Sequence, residues 1–151
     1  DNIFVYTPLP YVKTFYYLNV DFYRYFIGRA DQSVNEQVLM KRIDQHILIT
    51  EILIKTHDLN KIKEKSPKLY KYMCSFVSIM MAITSIYLIK INTKESFEKK
   101  DKLWKLLKDT DKKLYGKCRH TLTGMSASDN KLVCGVCKGI YNIVRKIFKF
   151  N

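Results

Sequence analysis

Apolar residues recur at helical spacing along most of this chain, and only its opening part departs from that rhythm. From residue 34 to about 57 one long helix is predicted. Lys41, Asp44, Glu51 and Lys55 gather on one side of it, and Val38, Leu39, Ile43, Ile47, Ile49, Leu53 and Ile54 spread over the other. Arg42 and His46 fall one turn apart on the apolar side. They read either as groups facing a partner domain or as a snorkelling arginine beside a satisfied core histidine. Residues 55–71 form a basic connector. Within it Ser66-Pro67 sets a cap and a first helical position for a helix running to about Asn92.

Residues 73–89 of that helix carry no charge, and Lys71 and Lys90 flank them. Their number lies at the short edge of the roughly 17–25 residues that span a bilayer. Ser75, Ser78, Ala82 and Ser85 share a face suited to close packing, and the segment reads as a buried core helix, with a membrane span as the alternative. A charged helix follows from residue 93 to about 117, with Phe97, Leu103, Trp104, Leu107 and Tyr115 inward and Gly116 as its stop. Residues 120–130 read as a loop. The last helix, about 132–148, sets Ile140, Tyr141, Val144, Ile147 and Phe148 against Lys138, Arg145, Lys146 and Lys149. That pattern fits a helix lying on an anionic bilayer and equally a terminal helix packed on its own domain.

The opening differs in kind. Asp1 can cap a short helix or turn before Pro8 and Pro10 interrupt. The aromatic runs 15–18 and 22–27 look like two short strands, a hairpin too small to stand alone in water. The polar turn that follows holds Gly28, Arg29, Asp31, Gln32, Ser33 and Asn35, a density typical of a binding loop. Ser33 and Glu36 form a capping box, so the turn hands over to a helix start, where free N–H groups suit an anion.

At 151 residues and a net charge of +13, the chain can hold one ordinary core and attracts polyanions, whether nucleic acid or an acidic membrane. The basic stretches lack the patterning of nucleic-acid readers, so charge is the one argument for that partner. There is no P-loop, no Gly-x-Gly-x-x-Gly, no His-Glu-x-x-His and no Gly-x-Ser-x-Gly. Cys118, His120, Cys134 and Cys137 are candidate zinc ligands: the Cys-x-x-Cys half fits, and Cys118-x-His120 makes a poor second pair. The chain starts at Asp1 without Met or a charged-then-apolar leader, so no signal peptide is read, and it looks like a piece of a longer protein.

The segments Asp1-Asn-Ile-Phe-Val-Tyr-Thr-Pro-Leu-Pro-Tyr11, Tyr25-Phe-Ile-Gly-Arg-Ala-Asp-Gln-Ser-Val-Asn35 and Lys41-Arg-Ile-Asp-Gln45 resemble the end of the catalytic domain in bacterial family 2 glycosyltransferases. These are inverting enzymes that build cell-surface polysaccharides from nucleotide sugars. The likeness covers about the first third of the chain. It implies that residues 1–33 end a catalytic domain and that 34–151 form a helical C-terminal domain. The expected fold is mainly α: a bundle of about three to five helices after a hairpin left over from a larger α/β domain.

The resemblance further implies that Asp1 is the second member of the family's Glu-Asp pair, the general base on the acceptor hydroxyl. Arg29, with Asp31, Gln32 and Ser33, would form the loop that closes over the nucleotide sugar, its guanidinium suited to phosphate. The family's nucleotide-binding half and its Asp-x-Asp site for Mg or Mn are missing, so no metal ligand is assigned here and the chain is expected to be inactive alone. Its implied partners are a nucleotide sugar and a lipid- or glycan-linked acceptor, both met through the missing half. Its implied place is the cytoplasm, peripheral on the inner membrane face through residues 132–149, with self-association as another use of the helices. A freestanding basic helical module that binds an anionic surface is the competing expectation.

Overall fold

Ser66 and Pro67 begin the element on which everything else is laid. Ser66 Oγ accepts a hydrogen bond from Leu69 N at 3.4 Å and Pro67 takes the first helical position, starting a helix that runs Pro67–Ile91. Asn92 ends it in the left-handed region at φ 58°. The computed structural model describes residues 1–24 and 36–148. In chain order these give α1 (Asn2–Tyr6), a 3-10 turn (Leu9–Tyr11), α2 (Glu36–Lys41), α3 (Ile43–Thr56), α4 (Leu59–Lys65), α5 (Pro67–Ile91), α6 (Lys94–Thr110), α7 (Lys112–Arg119), a second 3-10 turn (Leu122–Ala127) and α8 (Lys131–Phe148).

The mainly helical expectation holds, and the hairpin does not. No strand occurs among the described residues, and residues 12–24 carry neither helix nor strand. Phe15, Tyr16 and Tyr17 are each 74% exposed or more. Aromatic residues favour strands because they pack well on a pleated, half-buried surface. With no sheet among the described residues to lie on, that preference has nothing to act through. Residues 25–27, the rest of the expected second strand, lie outside the described residues, as does the Arg29–Ser33 loop.

Three further boundaries differ from expectation. The first long helix breaks at Arg42, whose backbone lies at φ −106°, ψ 27°. The break leaves Leu39 and Met40 of α2 and Ile43 and Ile47 of α3 all packed in the cluster around Tyr87 and Leu88. The charged helix breaks at Asp111, which caps α7 by accepting from Leu114 N at 2.9 Å. Gly116 lies inside α7 and stops nothing. The basic connector holds a helix of its own, α4, capped by Asp58.

α5 is wrapped by α2, α3, α4, α6, α8 and the second 3-10 turn. Its Met73, Val77, Met81, Leu88 and Ile89 are fully buried, so in this fold the uncharged run serves as the core helix. By length and composition it remains the one described helix long and apolar enough to cross a membrane. Tyr6 of α1 joins the same core beside Leu53, Leu103 and Leu107. The face of small residues on α5 is used for close approach: Ser78 Oγ lies 2.9 Å from Thr123 Oγ1, and Ser85 Oγ accepts from Trp104 Nε1 at 3.0 Å.

The second 3-10 turn, expected as a plain loop, is pinned from below. Lys100 of α6 has no exposure, and its ammonium donates to Ala127 O at 3.2 Å, Ser128 O at 3.0 Å and Asp129 Oδ1 at 2.5 Å. All three N–H donors of the ammonium are thereby matched. At Gly124 a Cβ would stand 2.1 Å from the Arg119 carbonyl oxygen. That neighbour is backbone and cannot step aside. Gly124→Ala should therefore lower stability by at least about 3 kcal/mol, whereas Gly116→Ala, with open space around it, should be neutral or stabilising; urea midpoints of the two variants check both.

Candidate functional site

Where α2, α3, α5 and α8 meet they leave a groove of about 840 Å³. Its walls are Val38 and Leu39 of α2, Ile49 of α3, Phe76, Met80, Ile83 and Ile86 of α5, and Ile140 and Val144 of α8. The helical spacing that made the apolar side of residues 34–57 legible also turns Arg42, Gln45 and His46 into this groove. Asp1 and Asn2 line it as well. That end is fixed by α1, whose Tyr6 ring packs on Phe76 with centroids 5.3 Å apart.

Glu36, at the start of α2, holds three of the four walls together. Its carboxylate bonds Lys90 of α5 through one oxygen and Arg145 of α8 through the other, and its side chain is 13% exposed. Burial alone would raise its pKa. Hydrogen bonds and charge from Lys90, then Arg145, outweigh that and hold it below the ordinary carboxylate value. Beside this clamp Tyr87 and Tyr141 meet edge to face with their hydroxyls 3.3 Å apart, and the Lys90 ammonium lies 4.6 Å over the Tyr141 ring. In the sequence Glu36 stood out as a capping-box residue. Its two cationic partners, one of them 109 positions away, left no local signal.

His46 belongs to a closed hydrogen-bond set. Thr50 Oγ1 donates to the His46 carbonyl at 2.9 Å, Thr50 and Thr84 hydroxyls are 3.0 Å apart, and His46 Nδ1 is 3.2 Å from Thr84 Oγ1. Thr50 has one proton, already given to the carbonyl. Satisfying the other two contacts then needs Thr84 to donate to Thr50 and Nδ1–H to donate to Thr84. Hydrogen-bond accounting thus assigns the Nδ1–H tautomer and leaves Nε2 as an acceptor. Burial pushes the pKa of this imidazole down, so it is neutral at pH 7. The satisfied-histidine reading of the sequence holds, and His46 also borders the groove.

Of the residues singled out for chemistry, Asp1 is exposed at the groove. Arg29, Asp31, Gln32 and Ser33 lie outside the described residues. Cys118 is buried on α7, Cys134 and Cys137 are buried on α8, and His120 follows the end of α7. Among the described residues no group of three or more His, Cys, Asp or Glu is placed to hold a metal ion. Burial raises the thiol pKa of Cys74, Cys118 and Cys137, which keeps these groups protonated and unreactive.

No protein-family model, curated protein or solved structure matches the chain.

The clamp has a pH signature. A carboxylate whose folded pKa is depressed contributes stability that is present above its unfolded pKa, about 4.3, and is lost as pH falls through the folded value. Glu36→Gln removes the anion between two cations. It should cost about 1–2 kcal/mol at pH 7, between the exposed and buried limits for ion pairs, and flatten the loss of stability below about pH 4. Chemical denaturation at pH 7 and pH 3 checks this, since the two proteins should converge at the lower pH.

Proposed function

We propose that this chain is the C-terminal part of an inverting family 2 glycosyltransferase that uses a nucleotide sugar, and that its helical region seats the enzyme on a membrane. The observation that carries the first half is the segment from Tyr11 to Tyr23. Tyr11, Val12, Phe15, Tyr16, Tyr17, Leu18, Val20, Phe22 and Tyr23 are all at least half exposed. A contiguous run of that size on a protein surface marks a site that another surface covers. A catalytic sheet immediately before Asp1 would supply that cover, and strand-forming residues would then have strands to pair with.

In this reading Asp1 takes the proton from the acceptor hydroxyl as that oxygen attacks the anomeric carbon and the nucleoside diphosphate leaves. The donor and its metal belong to the upstream half, and no step involving them falls to the residues described here. Asp1 on the rim of the groove fits a base that must reach an acceptor approaching from outside.

The membrane half rests on α8. Cys134, Cys137 and Tyr141 face the bundle, yet Leu132, Val136, Ile140, Ile143 and Ile147 are each 40% exposed or more, spaced at three and four along one outer stripe. Lys146 stands beside it, and Lys131 and Lys138 lie further round the helix. An outer apolar stripe on an otherwise basic helix is the pattern of a helix seated at a lipid interface.

Two outcomes are expected. The gene should specify Glu directly before Asp1 and an Asp-x-Asp further upstream. In the enzyme so encoded, Asp1→Asn should lower kcat for sugar transfer by roughly 10²–10⁴ with little change in the donor KM; full activity in that variant would overturn the assignment of Asp1. Vesicles containing phosphatidylglycerol should sediment the chain and vesicles of phosphatidylcholine alone should not. The double variant Ile143→Ser, Ile147→Ser should lose this binding while keeping its helical content.

A further inference from the structure

The groove itself has the form of a lipid site, and we infer that it binds a single-chain amphiphile, with the acyl chain lying along α5 and the anionic head on Arg42. Phe76 and Tyr87 mark its extent on α5, three turns apart and roughly 16 Å along the axis. That length and the apolar walls suit one extended hydrocarbon chain. A volume of about 840 Å³ is within the usual range for small-molecule sites.

The head group follows from which polar atoms at the groove are already engaged. The Tyr87 and Tyr141 hydroxyls bond each other, and His46 Nδ1 is held by Thr84. The neighbouring cations are likewise matched: Lys90 and Arg145 share Glu36, and Lys99 lies 2.7 Å from Asp44 and 2.9 Å from Glu95. Arg42 differs from them. It lines the groove from the break between α2 and α3, its side chain is exposed, and it makes no ion pair among the described residues. A guanidinium at the solvent edge of an apolar slot is complementary to a carboxylate or phosphate attached to a chain, which it can bind through two parallel hydrogen bonds.

Asp1 lines the same groove, but this inference does not rest on the glycosyltransferase reading, since the apolar slot and Arg42 belong to this chain whatever precedes it. A failed titration would leave the role of Asp1 untouched.

The test is calorimetric titration of the 151-residue chain with dodecanoate and with dodecanol, each below the concentration at which it aggregates. One saturable dodecanoate site is expected, with dodecanol bound about tenfold more weakly for want of a charge-assisted pair. Arg42→Gln, an exposed change that leaves the fold intact, should erase that preference. Ile140→Trp should fill the groove and abolish binding of both. The stripe variant Ile143→Ser, Ile147→Ser should bind dodecanoate as the parent does. Absence of saturable binding, equal affinity for the alcohol, an unaffected Arg42→Gln chain, or loss of binding in the stripe variant would each overturn the proposal.

Discussion

A helix with eighteen uncharged residues in a row cannot stand in water, and the need to cover α5 organises this molecule. Every large element either lies on α5 or lies on something that does. The cover is not uniformly greasy. Thr84 and Ser85, both fully buried near the middle of α5, meet Thr50 and Trp104 through hydrogen bonds. Each bond satisfies a polar group that would otherwise cost free energy in the core, and each fixes the rotation of one neighbour about the α5 axis. Tyr6 shows the contrary case: its hydroxyl is buried without a partner among the described residues, so its ring alone earns it a place in the core.

Charge does the long-range fastening. Lys100 is wholly buried and ties α6 to the turn beneath α8; Glu36 joins α2, α5 and α8. Glu36 sets one carboxylate between two cations, and Lys100 sets one ammonium among two carbonyls and the Asp129 carboxylate, in a chain with 27 basic and 14 acidic residues. In such a chain an acidic group surrounded by cations is the scarce partner, so the position of a carboxylate says more about architecture than the position of a lysine.

Elements with local signals were legible in the sequence. Ser66-Pro67, the stop near Asn92, the start at Thr93 and the extent of the last helix all follow from caps and periodicity acting within a turn or two. The break at Asp111 was also written locally, in an Asp that accepts from Leu114 N, but the continuing charge pattern of residues 93–117 masked it. The hairpin failed for a different reason: strand propensity is a statement about pairing surfaces, and residues 12–24 have none to pair with among the described residues. Of the site, the sequence showed Arg42 and His46 on an apolar face and left open what they faced. The fourth wall, α8, is joined to that face by Glu36 and Arg145, a contact no local pattern can announce.

The same contact constrains how α8 can be used. To leave the bundle for a bilayer, the helix would separate Arg145 from Glu36, uncover the Tyr87–Tyr141 pair and expose Cys134 and Cys137, which are now buried. Glu36 would keep Lys90 alone, and the groove would lose its fourth wall. None of this is needed for contact with lipid, because the stripe from Leu132 to Ile147 already faces outward while the helix is docked. Membrane contact and an intact groove are therefore compatible, with Ile140 the position common to both surfaces. A docked α8 keeps the groove closed on that side while its outer stripe stays free to meet another surface, so the clamp at Glu36 lets one short helix border two apolar surfaces at once.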